Sequence, residues 1–156
     1  MKITIRQLKK IIREVIENEF QVNRLYHGTS SRAAREIRKN GFSAELLGSK
    51  SGEQHKMPGI STSTDYDAAE GHAEWAAERH DDDPEVLTID ASNLRIAPGS
   101  LYFELWNELG SSDRSIQKIK SMGEWDGVSL FDAETGEGIE ELEVLIFNPD
   151  LIRIIS

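Results

Sequence analysis

Residues 25–42 read LYHGTSSRAAREIRKNGF. Residues 24–27 make a short strand, apolar at Leu25 and Tyr26, that ends on His27. A helix is predicted over about residues 31–40, with Gly41 as its left-handed C-cap and Phe42 as the apolar contact beyond it. The strand therefore stops on an imidazole followed at once by Gly28 and Thr29. A side chain that titrates, hydrogen-bonds or ligates metal is an unusual choice at a strand-to-helix junction.

Upstream, TIRQLKKIIREVIENE (residues 4–19) predicts an amphipathic helix, with Ile5, Leu8, Ile12, Val15 and Ile16 on one stripe. Thr4 and Gln7 have capping-box spacing. A short helix needs tertiary support, so packing on the main body is the first expectation and docking on a partner the second. Residues 1–20 are thus assigned to an N-terminal helix and 23–156 to one domain.

Downstream, residues 43–58 read as a polar loop, GIST (59–62) as a strand, and DYDAAEGHAEWAAERH (65–80) as a helix with Asp65 at its N-cap. DDDP (81–84) is a turn before the strand EVLTID (85–90), and LRIAPG (94–99) continues as strand and turn. Helical patterns cover about residues 101–109 and 113–121, each followed by a glycine, Gly110 and Gly123. WDGVSLF (125–131) and ELEVLIFN (141–148) are predicted strands around the turn-forming AETGEG (133–138), and LIRII (151–155) is a last strand. Helices and strands mix without regular βαβ alternation, which predicts an α+β fold.

The 156 residues suffice for one domain with a real core. Cysteine is absent, which removes disulfides, thiolate metal sites and cysteine nucleophiles and suits a reducing cytoplasm. No apolar run approaches the ~18–20 residues that span a bilayer, and the first residues lack a signal core, so no membrane partner is expected. Net charge is −10, which disfavours nucleic acid unless a local basic patch overrides it. Arg24, Arg32, Arg35, Arg38 and Lys39 form the best such patch, and a solvated helix face explains it as well. The four histidines, His27, His55, His72 and His80, show no His-Glu-x-x-His spacing, so no metal is predicted. No phosphate-binding Gly-rich loop with lysine and no Gly-x-Ser-x-Gly elbow occurs.

Three further stretches carry polar groups at element ends. Glu141 and Glu143 share one strand face with Leu145 and Phe147, while Leu142, Val144 and Ile146 share the other. An acidic pair running into a core is costly unless partnered, and an exposed strand end is the plain alternative. Ser61 and Ser63 precede the helix cap, where hydroxyls orient a carboxylate or a sugar; Ser63 and Thr64 also suit simple capping. Gly127 within a strand pattern suggests a close backbone approach, and Asp126 before it a local turn bond.

LYHGTS, a helix and NGF together resemble the opening of the ADP-ribosyltransferase superfamily, in its histidine-type branch best known from poly(ADP-ribose) polymerases. PGISTSTDYDAAEGHA (58–73) is similar to that superfamily's second motif, Ser-Thr-Ser on a strand entering a helix. EWDGVSLF and ELEVLIFNPDLIRI resemble the endings of transferase domains common in phage polyproteins, with Trp125 where tyrosine is usual. The matching segments lie within residues 25–155.

The resemblance implies a split β-sandwich of two small mixed sheets flanked by helices, with NAD as co-substrate in the cleft between them. It implies that His27 contacts the adenosine ribose, that the Gly28 backbone bonds the nicotinamide amide and that Thr29 touches the dinucleotide. It implies that Ser61 and Ser63 position a catalytic Glu143, which bonds the nicotinamide ribose, and that Glu141 orients an acceptor. His72 aligns with the tyrosine that stacks on nicotinamide, and Tyr66 is the rival aromatic. A histidine opening joined to Glu-x-Glu mixes two branches, so the acceptor side chain stays open. The implied activity is mono-ADP-ribosyl transfer to a protein by a phage-encoded effector, cytoplasmic or in the host cytosol. A nucleic-acid acceptor is also left open. The alternatives are NAD hydrolysis on the same fold and an inactive interaction module.

Overall fold

The first strand runs further than its apolar residues predict. In the computed structural model, which describes residues 3–9, 22–42, 59–131 and 143–155, β1 spans Arg24–Ser30. It continues through Gly28 because β3 (Pro84–Asp90) lies antiparallel beside it, in register from Arg24↔Asp90 to Ser30↔Pro84. Cross-strand pairing here overrides the weak strand preference of glycine. Helix α1 (Ser31–Asn40) follows without a linker. The Ser30 hydroxyl accepts the Ala33 N–H at 3.3 Å, and the Gly41 N–H bonds Ile37 O at 2.7 Å; Gly41 ends the helix as expected, but with φ 76° and ψ 177° it is extended at positive φ rather than in the left-handed helical conformation.

The remaining elements are β2 (Ile60–Ser63), α2 (Tyr66–Arg79), β4 (Ile96–Ala97), α3 (Gly99–Leu109), α4 (Ser112–Ser121), β5 (Gly127–Ser129), β6 (Glu143–Ile146), a 3₁₀ turn (Pro149–Leu151) and β7 (Arg153–Ile154). Seven strands form one mixed sheet in the order β4-β5-β6-β2-β1-β3-β7; β4 and β5 are parallel and the other neighbours antiparallel. The fold class is α+β.

Period-two alternation on β6 divides the core between the two faces of the sheet. Val144 and Ile146 join Leu25 and Ile89 in one cluster. Leu145 joins Val128, Ala97 and the helix residues Tyr102, Leu105, Ile116 and Ile119 in the other. Each large aliphatic side chain so buried contributes about 1.5–3 kcal/mol of transfer free energy.

The expected pair of small sheets is one hydrogen-bonded sheet with a thin joint. β1 pairs with β3 at seven positions and β2 with β6 at four, whereas β1 and β2 pair at one, Tyr26↔Ser63. Beyond that position the two halves splay apart. Helix α2 covers the β1 side of the opening. Its buried residues Ala69, Ala73 and Ala77 recur at helical spacing, and Gly28 faces them so closely that a Cβ there would lie 1.8 Å from Ala69 O and 2.7 Å from Ala73 N.

Other segments depart from expectation for local reasons. Asp126 makes no local turn bond; it accepts the Arg95 N–H at 2.8 Å and pairs with that guanidinium at 3.3 Å, tying β5 to β4. Gly127 shows the close approach, since a Cβ would sit 2.5 Å from Leu145 O. LIRII is mostly not strand: Asn148 caps the 3₁₀ turn at Pro149–Leu151, and only Arg153–Ile154 pairs. At the N-terminus residues 5–9 are helical and the Thr4–Gln7 box closes in both directions, at 3.0 and 3.1 Å. Ile5 and Leu8 are exposed there rather than packed on the body. The rest of that predicted helix, the 43–58 loop, the AETGEG turn and Glu141 lie outside the described residues.

Candidate functional site

The splay between β1 and β2 leaves backbone groups that a longer ladder would have used, and a side chain takes one of them. His27 Nδ1 lies 2.8 Å from the Ser61 carbonyl oxygen. A carbonyl only accepts, so Nδ1 carries the proton and Nε2 keeps its lone pair in the neutral ring. The Phe42 and imidazole rings meet in a T-shaped contact, centroids 5.1 Å apart. Loss of water at this position pulls the His27 pKa below 6.5; the Ser61 carbonyl opposes the shift, and nearby His72 adds to it. His27 is therefore neutral at pH 7, an acceptor at Nε2 and a donor at Nδ1.

Ser61 binds in two directions. Its carbonyl takes the imidazole, and its hydroxyl donates to Glu143 Oε1 at 2.5 Å. Glu143 opens β6 directly across from Ser63, on the face that carries Leu145. A hydroxyl donor to a carboxylate is a charge-assisted bond, so it fixes the orientation of the acid. Thr62 secures the same pair of strands from the buried side, its hydroxyl donating to Val144 O at 2.7 Å. The Ser63 hydroxyl accepts the Asp65 N–H at 3.0 Å and sets the turn into α2. Asp65 then caps that helix by accepting the Asp67 N–H at 3.2 Å.

These groups line a cavity of about 440 Å³. Its lining includes His27, Gly28 and Thr29 from β1 and Ser61, Thr62 and Ser63 from β2. Glu143 of β6 and His72 and Trp75 of α2 line it as well. The structure thus brings His27, Gly28, Thr29, Ser61, Ser63, His72 and Glu143 into one cleft. Tyr66 is not among the lining residues; it is half-exposed and meets Tyr26 edge-on, with centroids 5.4 Å apart. Glu141 lies outside the described residues.

Gly28 has a physical reason that its sequence context does not suggest. Its missing Cβ is required by the α2 backbone, not only by whatever enters the cleft. Two lining aromatics, Tyr26 and Trp75, escape the sequence reading. Trp75 follows His72 by three residues and precedes Arg79 by four, so a single helical face carries all three. That spacing is the available signal.

Chemically, the cleft offers one oriented carboxylate, one neutral imidazole, two hydroxyl-bearing strands and an aromatic edge. This set suits a polyhydroxylated, partly aromatic ligand. Among the described residues no group of three or more His, Asp or Glu side chains could hold a metal ion, and no helix is long and apolar enough to cross a membrane. Comparisons of the chain with protein-family models, curated proteins and solved structures return no match.

Proposed function

We propose that this chain is an NAD-dependent mono-ADP-ribosyltransferase of the ADP-ribosyltransferase-like fold, acting on a protein acceptor. The observation that carries the reading is the Ser61 bridge, which holds Glu143 by its hydroxyl and His27 by its carbonyl in one cleft. The opening of the sheet between β1 and β2 supports the split-sandwich form of the fold.

In this reading the nicotinamide ribose lies against Glu143. The bond between the ribose anomeric carbon and the nicotinamide nitrogen breaks, and its electron pair leaves with nicotinamide as a neutral ring. Positive charge develops on the sugar, and a carboxylate already oriented by Ser61 stabilises it without reorganising. An acceptor nucleophile then bonds to the anomeric carbon and gives up its proton; no oxidation or reduction occurs. His27 Nε2, an acceptor, receives a hydrogen bond from a hydroxyl of the adenosine ribose. His72 and Trp75 supply the edge against which the nicotinamide ring packs. Glu141 orients the acceptor, and phage origin with action in the host cytosol follows from the resemblance alone.

The test incubates the protein and its Glu143→Gln variant with NAD labelled in the adenosine half and a bacterial lysate. Label on protein with the wild type and none with the variant is the expected result. Nicotinamide release with no labelled macromolecule indicates water as acceptor, and neither product overturns the reading.

A further inference from the structure

Residues 5–9 are helical, and the Thr4–Gln7 box closes their start. The apolar side chains of this turn find no cover on the body: Ile5 is 75% exposed and Leu8 49%, with Ile3 exposed beside them. In sequence the stripe they begin continues at Ile12, Val15 and Ile16. Ile5, Leu8, Ile12 and Val15 follow the a and d spacing of a heptad, with isoleucine at both a positions and leucine and valine at d. That repeat buries its stripe against another helix carrying the same pattern. Contiguous apolar side chains facing water in this way mark an interaction surface.

Charge decides the partner. The cations of the segment, Arg6, Lys9, Lys10 and Arg13, all precede its acids, Glu14, Glu17 and Glu19. Two copies laid in the same direction set cation beside cation and acid beside acid. Turned head to tail, they set each basic half against an acidic half. An overlap that puts Ile5 opposite Ile16 brings Arg6 beside Glu14 and Glu17 of the second copy. Such an exchange of identical surfaces about a two-fold axis closes on itself, so assembly stops at the dimer. We propose that the segment 3–19 pairs head to tail with the same segment of a second copy of this chain. An anionic membrane is the poorer cover, because the acidic half of the segment and the net charge of −10 both oppose it. The segment is short for a free-standing helix pair, so the association is weak and concentration-dependent. It involves no residue of the cleft and stands or falls apart from the transferase reading.

Sedimentation of the full chain from about 1 to 500 µM reads mass against concentration. The wild type is expected to pass from 17.5 kDa toward twice that mass, with a midpoint in the micromolar range. Leu8→Glu puts a charge on the stripe and is expected to weaken association about tenfold or more. Leu8 is exposed, so an unchanged thermal midpoint at low concentration shows that the variant folds. Glu14→Lys combined with Glu17→Lys makes both halves basic and is expected to stay monomeric. Raising salt from about 0.05 to 0.5 M is expected to weaken the wild-type dimer severalfold, because the crossed ion pairs are screened. A wild type that stays monomeric throughout, or a Leu8→Glu chain that associates like the wild type, overturns the proposal. Association that strengthens with salt overturns the head-to-tail arrangement. A monomer that binds phosphatidylserine vesicles instead gives the stripe to a membrane and overturns the proposal as well.

Discussion

Two glycines in contact with or within the same helix predict stability changes of opposite sign. Replacing Gly28 by alanine puts a Cβ 1.8 Å from Ala69 O and 2.7 Å from Ala73 N, both backbone atoms that cannot rotate away. Ordinary contact begins at 3.4 Å, so α2 and β1 must part by ~1.6 Å. Ala69, Ala73 and Ala77 all lose packing in that movement, because they are the buried face of α2. Overpacking typically costs about 1–3 kcal/mol, and a clash against backbone belongs at or above the top of that range. For a chain of this length about 3 kcal/mol lowers the thermal midpoint by about 6–12 °C. Gly71 sits in α2, where a Cβ would meet nothing within 4 Å. Gly71→Ala therefore removes only unfolded-state freedom and stabilises by about 0.5–1 kcal/mol. Thermal and urea unfolding of the two variants beside the wild type is the assay. A Gly28→Ala protein as stable as the wild type, or one destabilised no more than Gly71→Ala, refutes the close α2–β1 contact.

Two further outcomes follow from the site. Ser61→Ala removes the donor to Glu143 Oε1 while sparing the carbonyl that holds His27. A hydrogen bond to a charged group is worth about 1.5–3 kcal/mol, discounted here for solvent, so nicotinamide release should fall about tenfold with little change in thermal midpoint. His27 governs an acid-side stability change. Its folded pKa is lowered by burial, so its neutral form stabilises the fold fully above the unfolded value of 6.5 and that contribution is lost as pH falls through and below it. His27→Gln should flatten the stability profile as pH falls below about 6.5. Asp82 and Asp90 are held below 3.8, the first by backbone N–H bonds from Arg32 and Asp83 and the second by the Ser92 hydroxyl, so their losses appear only at lower pH. A profile unchanged by His27→Gln contradicts the assigned environment.

How much of the fold and the site is legible in the sequence depends on whether the deciding interaction is local. Helix α1 is bounded closely because Ser30 and Gly41 fix its ends within one turn. The Asp65 cap and the Thr4–Gln7 box are local in the same sense. The sequence pattern ends β1 at His27 because its last three residues are strand only by pairing with Pro84–Val86, more than fifty residues away. Asp126 passes for a turn former because its partner Arg95 is distant in sequence. The face carrying Glu143 and Leu145 comes from simple alternation, whereas the need for Gly28 comes from a helix backbone that no pattern in β1 reveals. Trp75 is signalled only by sharing a helical face with His72, because an alanine-rich helix with one tryptophan otherwise looks like ordinary surface.

The central claim is that Glu143 stands beside the scissile bond of bound NAD. Nicotinamide release is its most direct test, measured at saturating NAD for wild type and Glu143→Gln, with NAD affinity determined for both. The account predicts steady release by the wild type, a loss of at least a hundredfold in the variant, and an affinity changed only severalfold. Equal release by the two proteins, or a wild type that neither binds NAD nor cleaves it, would contradict it.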